Sequence, residues 1–211
     1  MHDQFVGFCS DGASCMIGEH KGVATLLKAK FPLLQTFYCM AHRMELAVKN
    51  AIEDVDVISH LKIFVDELYK VYSMTPKNQR ELDYVAESLS VELLKVQKVF
   101  DVRWVFSSYV AVKAVLRDYS ALVAHFTKCA CPKASCRTSK EQSKCRGLVT
   151  KSHEFSFLSE TCMLKDTLRC LKQLSLYLQN QDANILNASS HVDDTISEMQ
   201  AFNMFASWFC K

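Results

Sequence analysis

Glycine and proline are scarce, five and three among 211 residues. A turn-rich all-β chain uses more of both, so that class is set aside. No apolar run reaches the roughly 18 residues that a membrane span requires, and no membrane partner is expected. The opening MHDQFVGFCSDG lacks the basic start and long apolar stretch of a secretory signal, which makes an intracellular chain the expectation. No internal repeat is visible. Net charge is only +2, too small to indicate a partner.

Cysteine, by contrast, is plentiful, with ten in all. In a secreted chain of under about 100 residues this would suggest a disulfide framework. Here the chain is longer, and Cys162 and Cys170 lie in apolar helical patterns, so reduced thiols are the better expectation. Hydrophobic residues make up 49% of the chain, enough to build a core over one sizeable domain or a domain plus a fragment.

The order of patterns is uneven along the chain. FVGFC, residues 5–9, reads as a short buried strand. Residues 14–30 carry Met16, Val23, Leu26 and Leu27 at loose helical spacing, interrupted by Gly18 and Gly22 and stopped by Pro32. Phe37, Tyr38 and Cys39 form a second short strand, and AHRMELAVKNAI starts another helix. This β-α-β-α order predicts a parallel pair joined by a helical crossover. Beyond Glu53 only helical stripes remain. They run from Ile58 to Tyr72, Leu82 to Phe100, Val105 to Phe126, Leu164 to Leu178, and Ile185 to Met199. The expected fold is mainly α, with a small parallel β-α-β unit in residues 1–52 and a helical bundle in 53–211. Because parallel sheets need both faces covered and usually more strands, the unit looks like part of a larger α/β domain.

Three motifs invite a chemical reading. Asp11, in CSDGASCMIG, would stand at the carboxyl end of the first strand, where α/β folds place their ligands. A carboxylate there can bind Mg²⁺ or Mn²⁺. The plain alternative is that Asp11-Gly12 is a turn. Cys39-x-x-His42 has zinc-ligand spacing, but a second pair is needed, and Cys9 with Cys15 matches no closed module. His42 should lie on the same edge as Asp11. Arg103-Trp104 could hold a phosphate and stack on a base, whereas the plain alternative packs Trp104 in the bundle and leaves Arg103 on its surface.

The basic charge is concentrated. Residues 127–152 hold Lys128, Lys133, Arg137, Lys140, Lys144, Arg146 and Lys151 against the single acid Glu141, a charge of +6. This stretch is expected to be a long flexible loop that touches nucleic acid, acts as an import signal or is merely solvated. Its cysteines, 129, 131, 136 and 145, lack the paired C-x2-C knuckles of a zinc module and are expected to be free.

In order and spacing, CSDGASCMIG, FYCMAHRMELAV and DVRWVFSSYVAVKAV resemble the hAT superfamily of DNA transposases. The likeness is to vertebrate domesticated, transposase-derived nuclear proteins, including zinc-finger and SUMO-ligase-like members. FSFLSETCMLKDTLRCLKQLSLYLQ is similar to the helical insertion of that group. The resemblance implies a ribonuclease-H-like core interrupted by a helical insertion, with three acids holding two divalent cations. It makes Asp11 the second of those acids and His42 a neighbour of the scissile phosphate. Arg103 and Trp104 match the family's Arg-Trp, whose Trp stacks on bases. The first and third acids of the family have no matching position in these residues, and Asp3 is too close to Asp11 to replace the first.

The expectation is therefore a catalytically incomplete, nuclear, transposase-derived module that serves DNA or protein binding, or a gene remnant. It needs no cofactor of its own; Mg²⁺ or Mn²⁺ would belong to a complete transposase core. Asp11 and His42 are its catalytic-type residues, and Arg103, Trp104, Lys128, Lys133, Arg137 and Lys140 its DNA-binding candidates. Two alternatives stay open: a fragment of a working transposase whose other acids come from missing parts of the parent chain, and part of a SUMO-ligase-like protein.

Overall fold

The computed structural model describes residues 5–95, 98–99, 103–131, 137–180 and 183–209, with side chains for all of these except 185 and 203–209. The chain is mainly helical, with one small parallel sheet. Strand β1 (Gly7–Ser10) leads through α1 (Ser14–Ile17) and α2 (Val23–Lys30) to β2 (Gln35–Tyr38). The strands pair in parallel, Gly7 opposite Gln35 through Ser10 opposite Tyr38. Leu34 and Ala24 are buried beneath this unit, while Val6, Leu33 and Phe37 stay exposed. Two strands alone cannot cover both of their faces.

Helix α3 (Met40–Ile52) leaves the end of β2 and leads into the bundle: α4 (Asp56–Ser73), α5 (Pro76–Ser88), α6 (Trp104–Arg117), α7 (Tyr119–Ala130), α8 (Ser139–His153), α9 (Phe155–Leu178) and α10 (Ile185–Phe209). Proline at the first position of α5 suits a helix start, where its missing N–H costs nothing. The apolar stripes converge as expected. Leu61, Val65, Leu68 and Tyr72 of α4 meet Val105 and Val112 of α6, Phe126 of α7 and Leu168 of α9. Phe64 and Phe157 pack at 4.7 Å between ring centroids with their planes tilted by 55°, fastening α4 to α9. No helix among the described residues is long and apolar enough to cross a membrane.

Three expectations about the helices are corrected. The stripe from Leu82 to Phe100 is not one helix, because α5 stops at Ser88. Ser90 adopts a left-handed φ of 54°, and Val91 N–H donates to the Ala86 carbonyl, which closes the helix end without glycine. Val96 and Phe100 lie outside the described residues. The stripe from Val105 to Phe126 breaks at Asp118, which ends α6 and begins α7. Asp118 is 1% exposed, and both of its carboxylate oxygens accept from Leu94 N–H, at 3.0 and 3.1 Å. Apolar periodicity cannot register such a break, since the stripe resumes in phase on the far side.

The third correction concerns residues 127–152. They are not a loop over most of their length, since α7 runs to Ala130 and α8 begins at Ser139. A capping box starts α8. Thr138 Oγ1 accepts from Glu141 N–H, and Glu141 Oε2 accepts from Thr138 N–H at 2.8 Å. The basic side chains then find acids on neighbouring helices. Lys144 pairs with Glu67 at 2.6 Å, and Arg137 pairs with Glu81.

Asp118 supplies a direct check on the α5–α6 connection. Asp118→Ala strands the Leu94 N–H and should cost about 1–3 kcal/mol in urea unfolding. Asp118→Asn keeps an acceptor in place and should cost less than half as much. Equal losses in the two variants would mean that this hydrogen bond does not hold the connection.

Candidate functional site

The parallel pairing sets the site. Asp11 follows β1 directly, and Cys39 and His42 follow β2, so all three stand at the carboxyl ends of neighbouring strands. Asp11 Oδ1 accepts from Ala13 N–H at 3.2 Å, which shapes the turn into α1. The turn reading and the rim reading of Asp11 therefore both hold. A Cβ placed on Gly12 would meet His42 Nε2 at 3.5 Å and Tyr38 at 3.4 Å, which fixes how closely the imidazole approaches the Asp-Gly turn.

Asp11, Cys39, His42 and Glu45 line a cleft of about 380 Å³ together with Arg103, Val105 and Phe106 at the start of α6, Lys172 and Ser175 of α9, and Gln179 just past its end. Glu45 lies one helical turn beyond His42, on the same face of α3. Its carboxylate accepts from Val105 N–H at 3.2 Å and from Trp104 N–H. It thus caps α6, whose own N-cap, Arg103, offers no side-chain cap. A negative charge at a helix N-terminus is favourable, and this contact ties the strand unit to the bundle. Burial nevertheless raises the Glu45 carboxyl above its ordinary value, against the pull of those two N–H donors and of His42. The Lys172 ammonium lies over the rings of Tyr109 (4.6 Å) and Phe106 (5.2 Å), which holds a cation in the cleft lining. Sequence reasoning missed Glu45 and Lys172. The i, i+3 relation between His42 and Glu45 was the one available signal.

The expected site residues separate. Asp11, His42 and Arg103 come together in the cleft. Trp104 does not join them. It is 7% exposed and packs in the core with Leu61, Val65 and Ala111, so the base-stacking expectation gives way to the plain packing role. Its burial follows from the first turn of α6, which directs consecutive residues to different faces. Lys128 is exposed on α7, 5.8 Å from the Tyr84 ring, and Lys140 is exposed in the first turn of α8. Neither lines the cleft. Arg137 is corrected as a DNA contact. Its side chain is 5% exposed and engaged by Glu81 and by Asn78 Oδ1 at 3.0 Å. Lys133 lies outside the described residues.

Cys39 and His42 do not assemble with Cys9 and Cys15 into a metal centre. Among the described residues, the three-residue convergence of metal-ligating side chains is elsewhere, at Glu81, His125 and Cys129. The cleft does not fit a two-cation centre either. It offers two carboxylates, and Glu45 is occupied with the start of α6. What the arrangement can do is hold an anion. Arg103 and Lys172 supply positive charge, and His42, Ser175 and Gln179 supply hydrogen-bonding groups around a concave wall. No protein-family model and no solved structure matches the chain.

Glu45 gives the site its own test. Glu45→Ala removes the cap and should cost about 1–2 kcal/mol. Because the carboxyl is raised in the folded chain, that chain binds the proton more tightly than the unfolded one. The cost of the charge is therefore present above the folded pKa and is relieved as pH falls toward the unfolded value. Denaturant unfolding of wild type and Glu45→Gln across the acid range should show wild type gaining relative stability as pH falls. A constant difference would exclude this account of Glu45.

Proposed function

We propose that the chain is a nuclear, transposase-derived module that binds DNA through the phosphate backbone and performs no strand transfer of its own. Its core descends on this reading from the ribonuclease-H-like domain of the hAT superfamily, and the bundle from the helical insertion. The observation that carries the proposal is the joint placement of Asp11 and His42 at one strand rim, with Arg103 brought to it by the Glu45 cap. The sequence motifs that resemble the family are those that build this rim.

The reasoning against catalysis is chemical. Two-metal phosphoryl transfer requires several acids to hold both cations, and the cleft offers only Asp11, which also shapes its own turn, and Glu45, which is engaged by the first amides of α6. Binding is a lesser demand. A phosphate needs donors and positive charge, which Arg103, Lys172 and His42 supply. Exposed Lys128 and Lys140 add contacts to a second part of the backbone. The coupling of Arg137 and Lys144 to acids within the bundle lowers the share of the basic segment that is left for DNA.

Fluorescence anisotropy with a short labelled duplex, over a range of salt, tests this. Arg103→Ala with Lys172→Ala should weaken binding to all sequences about equally and flatten the dependence on salt by roughly one to two phosphates. Incubation with Mg²⁺ or Mn²⁺ should give no cleavage product. Binding that is unaffected by the double substitution would remove the cleft from the account. Nicking abolished by Asp11→Ala would instead establish an enzyme.

A further inference from the structure

We infer that Glu81, His125, Cys129 and Cys145 form a structural zinc site that fastens α5, α7 and α8 together. The four residues come from three helices and meet inside the bundle. His125 and Cys129 stand one turn apart on α7, with 0% and 1% exposure, and Cys145 of α8 is 4% exposed. Glu81 reaches in from α5. No member of this set belongs to the cleft, so the inference stands apart from the proposed function.

The distances have the right scale. Zinc bonds of about 2.3 Å to sulfur and about 2.0–2.2 Å to nitrogen and oxygen give tetrahedral edges of about 3.3–3.8 Å between ligand atoms. His125 Nε2 lies 3.3 Å from Cys129 Sγ and 3.4 Å from Glu81 Oε2. The ligand atoms of these three residues all fall within 4.8 Å of one another. Cys145, whose buried thiol lies beside that of Cys129, stands outside this three-residue convergence and is the fourth donor that the inference adds.

The surroundings also suit a metal. His125 Nδ1 is 2.8 Å from the buried Tyr72 hydroxyl. With Nδ1–H donated to Tyr72, Nε2 presents its lone pair to the ion, which is how ligating histidines are usually oriented. Binding zinc releases both thiol protons to solvent and leaves two thiolates, one carboxylate and Zn²⁺, a net charge of −1. The guanidinium of Arg137, already against Glu81, brings the buried cluster to neutrality. A donor set of two sulfurs, one imidazole and one carboxylate favours zinc over Mg²⁺ or Ca²⁺, which take oxygen ligands. The sequence contained the signal in His125-x3-Cys129, a helical i, i+4 pair, but counting cysteines alone left His125 out.

The test uses the full 211-residue chain, expressed with zinc in the medium and purified without chelator. Metal analysis should find about one zinc per chain. Cys129→Ser with Cys145→Ser should lower that content about tenfold or more, whereas Cys131→Ser with Cys162→Ser, at exposed thiols, should leave it unchanged. Should the first variant fail to fold, cobalt(II) exchanged into the wild-type chain answers in its place. Thiolate-to-cobalt charge transfer with tetrahedral ligand-field bands supports the site, and an octahedral spectrum overturns it. Zinc far below one equivalent in the wild type, zinc retained by the Cys129/Cys145 variant, or a Cys129–Cys145 disulfide in the freshly purified chain would each overturn it as well.

Discussion

Four residues of parallel pairing, Gly7–Ser10 against Gln35–Tyr38, are the constraint on which the rest of the cleft depends. Parallel strands send both of their carboxyl ends to the same side, so whatever follows β1 and whatever follows β2 must share a rim. Asp11 and His42, thirty-one positions apart in sequence, become neighbours for that reason alone. The pairing is short, and its faces remain partly open, with Val6, Leu33 and Phe37 exposed. It is held in place from the bundle side, where the Glu45 carboxylate meets the first amides of α6. One contact thereby gives the rim its basic residue, because Arg103 is the position just before those amides.

The distribution of charge follows from packing more than from composition. Residues 127–152 look like a basic tract when read along the chain. In the fold, Lys144 of α8 lies beside Glu67 of α4, and Arg137, just ahead of α8, lies beside Glu81 of α5. Arg137, in particular, changes from a candidate backbone contact to the counter-charge of a buried polar cluster. Isolated buried polar groups would be costly, and here each finds a partner: Tyr72 with His125, Cys129 with Cys145, and Arg137 with Glu81 and Asn78. The same convergence is what qualifies the cluster as a metal site.

Much of the architecture was legible in the residues. The two strands, their parallel relation and the shift to a helical bundle after residue 53 follow from pattern length and period, which packing then respects. Helix ends were less legible. The stop at Ser88 uses a serine in a left-handed conformation, and the break at Asp118 depends on an amide 24 residues earlier. The start of α8 was legible in principle, since Thr138-x-x-Glu141 is a capping-box sequence, but the density of charge around it read as a loop. Of the candidate site, Asp11, His42 and Arg103 were found by motif and edge reasoning. Trp104 went to the core and Arg137 to Glu81, because whether a side chain faces inward depends on neighbours that local sequence does not specify.

The most direct measurement of the central claim is the proton nuclear Overhauser effect between Gly12 Hα and the His42 imidazole ring in the assigned spectrum of the chain. The account predicts a clear cross-peak, because a Cβ on Gly12 would lie 3.5 Å from His42 Nε2. With both resonances assigned, the absence of that cross-peak, together with helical chemical shifts over either strand, would contradict the shared rim and the cleft built upon it.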